Sequence, residues 1–526
     1  MSKKPQHWAD KYADKIVREK GEKDEYVCAS GITPSGTVHI GNFREIISVD
    51  LVYRALKDMG KKSRFIYSWD DYDVFRKVPK NMPNPKKLET YLRMPITDVP
   101  DTRGTEDNYA GYNEKELERL LHKVGVDPDY IYQEKRYRQS VYAKGLKKAL
   151  DNKETIRNIL NQHRSEPLPE SWLPVSVFCT QCKKDTTRPL SWDGKHCLNY
   201  ECDSCGNNET MDLRETGAAK LPWRVDWPMR WQYEDVDFEP AGKDHHSEGG
   251  SFDTAREIVQ QVYGGEPPVT FQYDFVRIKG RGGKISSSSG EVVSLSDVLE
   301  IYQPEVVRYL FASTRPNSEF AVSFDLDVLK IYEDYDKCER VYFGEDEVGE
   351  KKKAKQSRIY EFSQVEAPPE HMPFQMPFRH LCNMLQIHDG DIEGVIARFP
   401  DLTEAQKNKL RERAVCAWNW ITSFAPEDFR FSLKQNPADT IEVSEKQKKA
   451  LTLLYTEVSE KLNDHDEKSL AGAMYSIAEE AGLDIKEFFA IVYTALIDKE
   501  KGPRLANFIM TAGSERIAEI LKPYAQ

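Results

Sequence analysis

The chain has 526 residues, of which 39% are hydrophobic and 31% are charged, and its formal net charge is −12. This length predicts three or four domains with cores of ordinary size, and the acidic balance argues against a protein that coats nucleic acid without regard to sequence. No stretch approaches the roughly 18 apolar residues of a membrane span and the N-terminus has no apolar signal core, so we expect a cytoplasmic protein with no membrane partner.

The first 75 residues follow an α/β pattern. Residues 8–24 predict an amphipathic helix, and residues 25–30 predict a short buried strand. A loop rich in Gly, Pro, Ser and Thr leads into a long helix that ends at Gly60, and a second strand follows at residues 64–69. This order predicts an α/β fold with a doubly wound parallel (Rossmann-like) sheet, of which residues 1–75 form the first half.

Residues 33–42 predict an anion site at the carboxyl edge of this sheet. A glycine-bearing turn that enters a helix presents free backbone N–H groups to anions, and Gly36 and Gly41 allow close approach. His39 and Asn42 supply donors for phosphate oxygens. The alternative is a plain strand–helix turn in which His39 only caps the helix.

An insertion at residues 76–220 interrupts the pattern. Residues 76–105 hold five prolines and predict loops, whereas residues 113–163 return to helical periodicity. A cysteine module then occupies residues 175–215. Two Cys-x-x-Cys pairs separated by 19 residues have the spacing of a structural, four-thiolate Zn²⁺ site with no open coordination position, formed by Cys179, Cys182, Cys202 and Cys205.

Sheet-like signals resume at residues 223–225 and 269–278. The aromatic residues of segment 223–231 alternate with charges, which favours a pocket wall for a cationic or amphipathic ligand, although a buried aromatic cluster is the alternative. Asp244 is a candidate acceptor for ribose hydroxyls. The carboxylates within residues 68–73, at the end of the second strand, are candidate partners for an ammonium group.

A glycine-rich loop at residues 279–284 leads into Lys284-Ile285-Ser286-Ser287-Ser288. Its glycines allow closure over a nucleotide, and the Lys284 ammonium can neutralise charge that develops on an α-phosphorus. Alone, this segment is better explained as a flexible surface loop. Together with residues 33–42, it predicts that ATP is opened between its α- and β-phosphates to activate a carboxylate. From about residue 330 the chain reads as helical, including an apolar helix at 485–496.

These motifs resemble the two signatures of the class I aminoacyl-tRNA synthetases. His39-Ile40-Gly41-Asn42 is similar to the first signature with Asn42 in place of its final histidine, and segment 284–288 is similar to the second with Ser287 in place of a lysine. Within this class the chain resembles the class I lysyl-tRNA synthetases most. That resemblance is carried by residues 30–36, 69–73, 224–231, 239–245 and 499–504.

The resemblance implies ATP-dependent ligation of L-lysine to tRNA(Lys) through lysyl-adenylate, with Mg²⁺ bound to ATP and no obligate protein partner. It implies the catalytic residues His39, Asn42 and Lys284. The implied ATP-binding residues are Thr33, Pro34, Gly36, His39, Gly41, Asn42, Gly242, Asp244, Lys284, Ser286 and Ser287. The implied lysine-binding residues are Gly31, Thr33, Asp71, Trp223, His245 and Tyr273.

The resemblance also implies the remaining domains. Residues 221–290 would complete the catalytic domain, 291–345 would contact the tRNA stem, and 346–526 would form an α-helical anticodon-binding domain. We expect a single zinc, because residues 94–101, where some relatives carry another metal, have no Cys or His nearby. A class I synthetase for glutamate, a non-catalytic tRNA-binding paralogue and a zinc-ribbon nucleic-acid-binding protein without enzymatic activity remain as alternatives.

Overall fold

The computed structural model describes residues 7–79, 82–279, 292–436 and 438–526. The chain forms two compact units. The sheet unit comprises Met1–Val298, Pro304–Val322 and Gly344–Pro368, and the helical unit comprises Leu299–Gln303, Ser323–Phe343 and Pro369–Gln526. Among the described residues, every helix is too short or too polar to span a bilayer.

The elements before and within the cysteine module alternate between helices and short strands. In chain order they are α1 (Trp8–Lys20), β1 (Tyr26–Ile32), α2 (Ile40–Asp58), β2 (Ser63–Trp69), α3 (Pro85–Glu89), α4 (Tyr109–Lys123), β3 (Asp129–Tyr132), α5 (Gln133–Arg138), α6 (Ala143–Asp151), α7 (Lys153–Asn161), β4 (Ser176–Val177), β5 (Thr187–Trp192), β6 (Cys197–Cys202), β7 (Asn208–Asp212) and β8 (Ala219–Lys220). The elements that follow, up to the last strand, are α8 (Trp223–Glu234), β9 (Val236–Phe238), β10 (Ala241–Gly242), α9 (Lys243–His246), α10 (Ser251–Ile258), β11 (Gln272–Tyr273), β12 (Val276–Ile278), α11 (Leu295–Ile301), α12 (Pro304–Ala312) and β13 (Phe320–Val322).

A parallel sheet with strand order β3-β2-β1-β9 organises the sheet unit. The chain runs outward from β1 through β2 to β3 and later returns on the other side of β1 as β9. The strand order therefore reverses at β1, and the crevice beyond the carboxyl end of that strand is where open α/β sheets receive ligands. The predicted doubly wound parallel sheet is confirmed.

The first strand and helix form largely as the sequence predicts. α1 ends at Lys20, earlier than predicted, because Gly21 adopts a positive φ of 71° that terminates the helix. α2 buries its apolar face, including Phe43, Ile47 and Leu51, against β1 and β2. The helix thus begins beside the carboxyl end of β1, so that its N-terminus faces the ligand crevice.

Two sequence predictions of secondary structure are wrong. Residues 223–225, predicted as sheet-like, begin helix α8, which Pro222 precedes in an extended conformation. Residues 129–132, within a segment predicted as helical, form β3 and pair in parallel with β2. At residues 129–132 the pairing with β2 outweighs the local helical pattern. Segment 223–231 instead carries three tryptophans at helical spacing, a local signal that agrees with the observed helix.

The helical unit holds a separate core, and the prediction of a helical C-terminal region is confirmed. In its core the Tyr332 ring stacks on Phe378 at 3.8 Å, and Arg413 pairs with Asp336 at 2.6 Å. From residue 327 onward the helices are α13 (Asp327–Phe343), α14 (Glu350–Ser363), α15 (Phe378–Ile387), α16 (Ile392–Ala397), α17 (Glu404–Ser423), α18 (Glu445–Lys461), α19 (Glu467–Ala481), α20 (Ile485–Ile497), α21 (Leu505–Ala512) and α22 (Ser514–Leu521), with α14 belonging to the sheet unit.

Candidate active site

The loop that follows β1 is held in place by side chains from other parts of the sheet unit. The Thr33 hydroxyl donates to Asp73 Oδ2 (3.0 Å), and Asn113 Nδ2 donates to the Pro34 carbonyl (3.1 Å). Gly36 lies in the bend that follows. The loop therefore has a fixed course from the carboxyl end of β1 to the N-terminus of α2.

His39 occupies the N-cap position of α2. Its backbone N–H donates to Asn42 Oδ1 (3.3 Å), so Asn42 helps to close the first turn. A Cβ atom added to Gly41 would lie 2.8 Å from His39 Nδ1, which means that the imidazole packs directly against the glycine backbone. Gly41 thus allows the imidazole of His39 to take this position.

The two flanks of segment 280–291 contact the first turns of α2. On the C-terminal flank, the Ile40 N–H donates to the Val293 carbonyl (2.9 Å), and His39 forms a β-bridge with Ser294. On the N-terminal flank, Arg44 Nη1 donates to the Phe275 carbonyl (3.3 Å). The described flanks of this segment therefore lie beside the first sequence motif, at one edge of the sheet. The predicted site residues Lys284, Ser286 and Ser287 lie outside the described residues.

A narrow cleft of about 40 Å³ lies beside this edge. Three indoles at i, i+4 and i+8 of α8 form one of its walls: Trp223 stacks on Trp227 at 5.0 Å, and Trp227 contacts Trp231 at 4.7 Å. The His245 ring lies 5.6 Å from that of Trp227. We call the cleft beside these three indoles the tryptophan cleft. Gly31 lines the opposite side, where a Cβ atom would approach the Ser68 carbonyl to 2.7 Å.

The Glu45 carboxylate, which is not among the residues predicted from the sequence, contacts the cleft lining. Oε1 accepts a hydrogen bond from the Ser30 hydroxyl (2.8 Å), and Oε2 accepts one from the Tyr273 hydroxyl (2.5 Å). Burial raises the pKa of Glu45. Tyr273 pairs with Gly242 across β10 and β11, and its ring lies 3.4 Å from where a Gly242 Cβ would be. The available sequence signal was an acidic residue six positions after His39, within a helix rich in apolar residues.

Asp70 and Asp71, which follow β2, have different surroundings. Asp70 lines the tryptophan cleft, where Arg230 Nη1 donates to it at 2.6 Å and to the Ser68 hydroxyl at 2.8 Å. Asp71 is 2% exposed, accepts the Glu134 N–H (2.7 Å), and has a pKa that burial raises to about 7. Neither Asp71 nor Glu45 is among the residues that line the cleft.

Glu239 fixes the wall of indoles. Its two carboxylate oxygens accept from the indole N–H groups of Trp227 (3.0 Å) and Trp231 (2.6 Å). Burial raises the pKa of Glu239 to about 7. Two predicted site residues lie on the short helix α9. His245, predicted to bind lysine, contacts the indoles, whereas Asp244, predicted to bind ATP, is exposed.

The four predicted cysteine ligands converge. Their Sγ atoms all lie within 4.8 Å of one another, with 3.5 Å between Cys182 and Cys202 and 3.7 Å between Cys179 and Cys205. Cys197, on β6, is outside this group. The quartet has the composition and spacing to hold a metal ion.

Comparisons with known proteins agree with this arrangement. The sequence model of the family described as tRNA synthetases class I (K) matches residues 6–366. The chain is 55% identical to the lysine--tRNA ligase of Borreliella burgdorferi over 99% of this chain and 100% of the relative, and 53% identical to that of Treponema pallidum over 100% of both. It is 41% identical to the lysine--tRNA ligase of Pyrococcus horikoshii over 96% of this chain and 97% of the relative. The chain belongs to this family of class I tRNA synthetases.

Proposed function

We propose that the chain joins L-lysine to tRNA(Lys) through lysyl-adenylate, using ATP with Mg²⁺. The observation that carries this proposal is a carboxylate, Glu45, that lies near the N-terminus of α2 and accepts a hydrogen bond from Ser30, a residue of the cleft lining. A cationic side chain and a triphosphate can bind next to each other there. The relatives named lysine--tRNA ligase, which match along essentially the whole chain, support the same activity.

Lysine enters the tryptophan cleft with its ammonium towards Glu45 and Tyr273. The hydrophobic part of its side chain packs on Trp223, and Gly31, Thr33 and His245 surround its α-amino and carboxylate groups. Glu45 takes the role that the resemblance gives to Asp71, because Glu45 contacts Ser30 and Gly31 of the cleft lining, whereas Asp71 accepts the Glu134 N–H. Ornithine is disfavoured by unfilled space, which gives about 1–3 kcal/mol for one methylene.

ATP binds along the edge formed by the loop after β1 and the start of α2. The side chains of His39 and Asn42 and the backbone from Thr33 to Gly41 contact the phosphates, whereas Gly242 and Asp244 contact the ribose. The lysine carboxylate is already ionised, so its attack on the α-phosphorus needs no base. An O–P bond forms, the bond to the bridging oxygen of the β-phosphate breaks, and pyrophosphate leaves. Catalysis consists of positioning and charge stabilisation, with Lys284, Ser286 and Ser287 from segment 280–291 contributing the latter.

The cysteine quartet holds one structural Zn²⁺. Tetrahedral thiolate ligands at about 2.3 Å from zinc are separated by about 3.8 Å. The distances of 3.5 Å and 3.7 Å between paired Sγ atoms fit this geometry. Four thiolates leave no coordination position for substrate, so the role of this metal is to stabilise the cysteine module.

The tRNA is bound by the C-terminal parts of the chain. Residues 291–345 contact the acceptor stem, and residues 346–526 bind the anticodon, whose splayed bases stack on side chains. Residues 1–75 and 221–290 form the catalytic domain and residues 76–220 its insertion. The enzyme acts in the cytoplasm.

Lysine-dependent exchange of pyrophosphate into ATP tests this function. The wild-type chain is assayed with lysine and with glutamate, each with and without tRNA(Lys). Exchange with lysine but not with glutamate supports the proposal. Exchange with glutamate indicates the other specificity, and tRNA binding without exchange in any mixture indicates a non-catalytic paralogue.

A further inference from the structure

The end of the cysteine module is joined to its beginning by a short antiparallel ladder. β4 pairs with β8, with Ser176 opposite Lys220, and the Phe178 N–H donates to the Ala218 carbonyl (2.9 Å). Phe178 directly precedes Cys179, a member of the metal-binding quartet. The backbone position of Lys220 therefore depends on the fold of the module.

The Lys220 side chain leaves the module and reaches the segment after β2. Its ammonium donates to Asp73 Oδ1 (2.6 Å) and to the Tyr72 carbonyl (2.8 Å), and the side chain is 14% exposed. The other carboxylate oxygen of Asp73 accepts from the Thr33 hydroxyl (3.0 Å). Lys220, Asp73 and Thr33 thus form a continuous chain of polar contacts from the module to the loop after β1.

The charges around Asp73 favour this arrangement. Burial alone would raise the pKa of Asp73, but the Lys220 ammonium, the Thr33 hydroxyl and the charge of Arg76 hold it below its usual range. An ionised Asp73 accepts with both oxygens, so it can keep Lys220 and Thr33 in place at the same time. Loss of Lys220 would leave a partly buried carboxylate without its hydrogen-bonded cation.

We propose that Lys220 is a positioning residue that couples the cysteine module to substrate binding, by fixing Asp73 and through it the Thr33 hydroxyl. The inference rests on the proposed function, because Thr33 belongs to the ATP and lysine site named there. Lys220 itself touches neither substrate. The cysteine module then has a second role besides its own stability, which is to set the geometry of the loop between β1 and α2.

A double-mutant cycle tests this coupling. Lys220→Met, Asp73→Asn and the double variant are compared in lysine-dependent pyrophosphate exchange, with Lys195→Met as the matched control, because Lys195 is an exposed lysine of the same module. We expect either single change to raise KM for ATP or lysine by about tenfold or more, with little change in zinc content. The KM of the double variant should be no higher than that of the more impaired single variant, and the KM values of the control should equal those of wild type.

Three results would overturn the coupling. They are wild-type KM values in Lys220→Met, a double variant whose KM change is the product of the two single changes, or a control that is equally impaired. If Lys220→Met loses zinc or unfolds, Thr33→Val replaces it in the cycle with Asp73→Asn, and additivity in that pair overturns the inference in the same way. The dissociation constant of ATP, measured by calorimetry, gives the cycle a readout that does not need lysine activation, so failure of the proposed function is recognised separately.

Discussion

Replacing Glu45 with glutamine tests which carboxylate receives the lysine ammonium. The amide keeps the size of the side chain and can still contact the Ser30 and Tyr273 hydroxyls. What disappears is the negative charge opposite a desolvated ammonium. The variant should therefore fold as wild type does while binding lysine poorly.

The size of the effect follows from the burial of this site. Removing one partner of a buried, hydrogen-bonded charge pair costs about 2–5 kcal/mol. Since about 1.4 kcal/mol corresponds to a tenfold change in an equilibrium constant, KM for lysine should rise between about 30-fold and a few thousand-fold. KM for ATP should change little, because the phosphates bind at the loop and helix terminus rather than at Glu45.

The assay is pyrophosphate exchange at saturating ATP over a range of lysine concentrations. Asp71→Asn is the matched control, because Asp71 is also a buried carboxylate near the carboxyl end of the sheet, but it accepts the Glu134 N–H, whereas Glu45 accepts from Ser30 of the cleft lining. The control should keep KM for lysine within about threefold of wild type. A Glu45→Gln variant with unchanged KM, together with a large increase in Asp71→Asn, would refute this assignment.

Three further outcomes are expected. Lys284→Ala should lower lysine-dependent exchange by about a hundredfold or more without changing thermal unfolding, and wild-type exchange would contradict a role for that ammonium. Cys202→Ser should release zinc and lower the unfolding temperature, and full zinc content after purification would exclude the four-thiolate site. Burial raises the pKa of Glu114 to about 8, whereas an unfolded glutamate titrates near about 4, so the folded chain holds this proton more tightly and stability falls as pH rises between these values. Glu114→Gln should remove this loss of stability at higher pH. The measurement is the urea midpoint of unfolding at pH 5 and at pH 8, and the difference between the two should be smaller in Glu114→Gln than in wild type or in the control Glu116→Gln.

The sequence of helix α8 contains a helical pattern, although residues 223–225 were predicted as sheet-like. Trp223, Trp227 and Trp231 recur every four residues, which is the spacing of one helix face. Pro222 directly precedes the helix, whereas Pro228 lies inside it, where proline removes a backbone N–H donor and disfavours a helix. The contact of all three indoles with one cleft depends on β9 and Glu239, which lie later in the chain.

The sequence by itself determined the parts of this protein that depend on local pattern. The order of β1, α2 and β2 followed from hydrophobic periodicity, the turn between β1 and α2 from its glycines, and the cysteine quartet from spacing alone. These features are local because each is specified by residues within a few turns of chain or by a fixed ligand spacing.

Only the tertiary structure decided which polar groups share a cleft. Asp70 and Asp71 both follow β2, but only Asp70 is among the residues that line the tryptophan cleft. The sequence alone could not distinguish these two neighbouring carboxylates. Glu45 gains its partners from β1 and β11, and Ile40 meets Val293 across about 250 residues of chain. Hydrogen bonds between such distant segments form only after the sheet has brought strand ends together, which is why no local pattern could predict them.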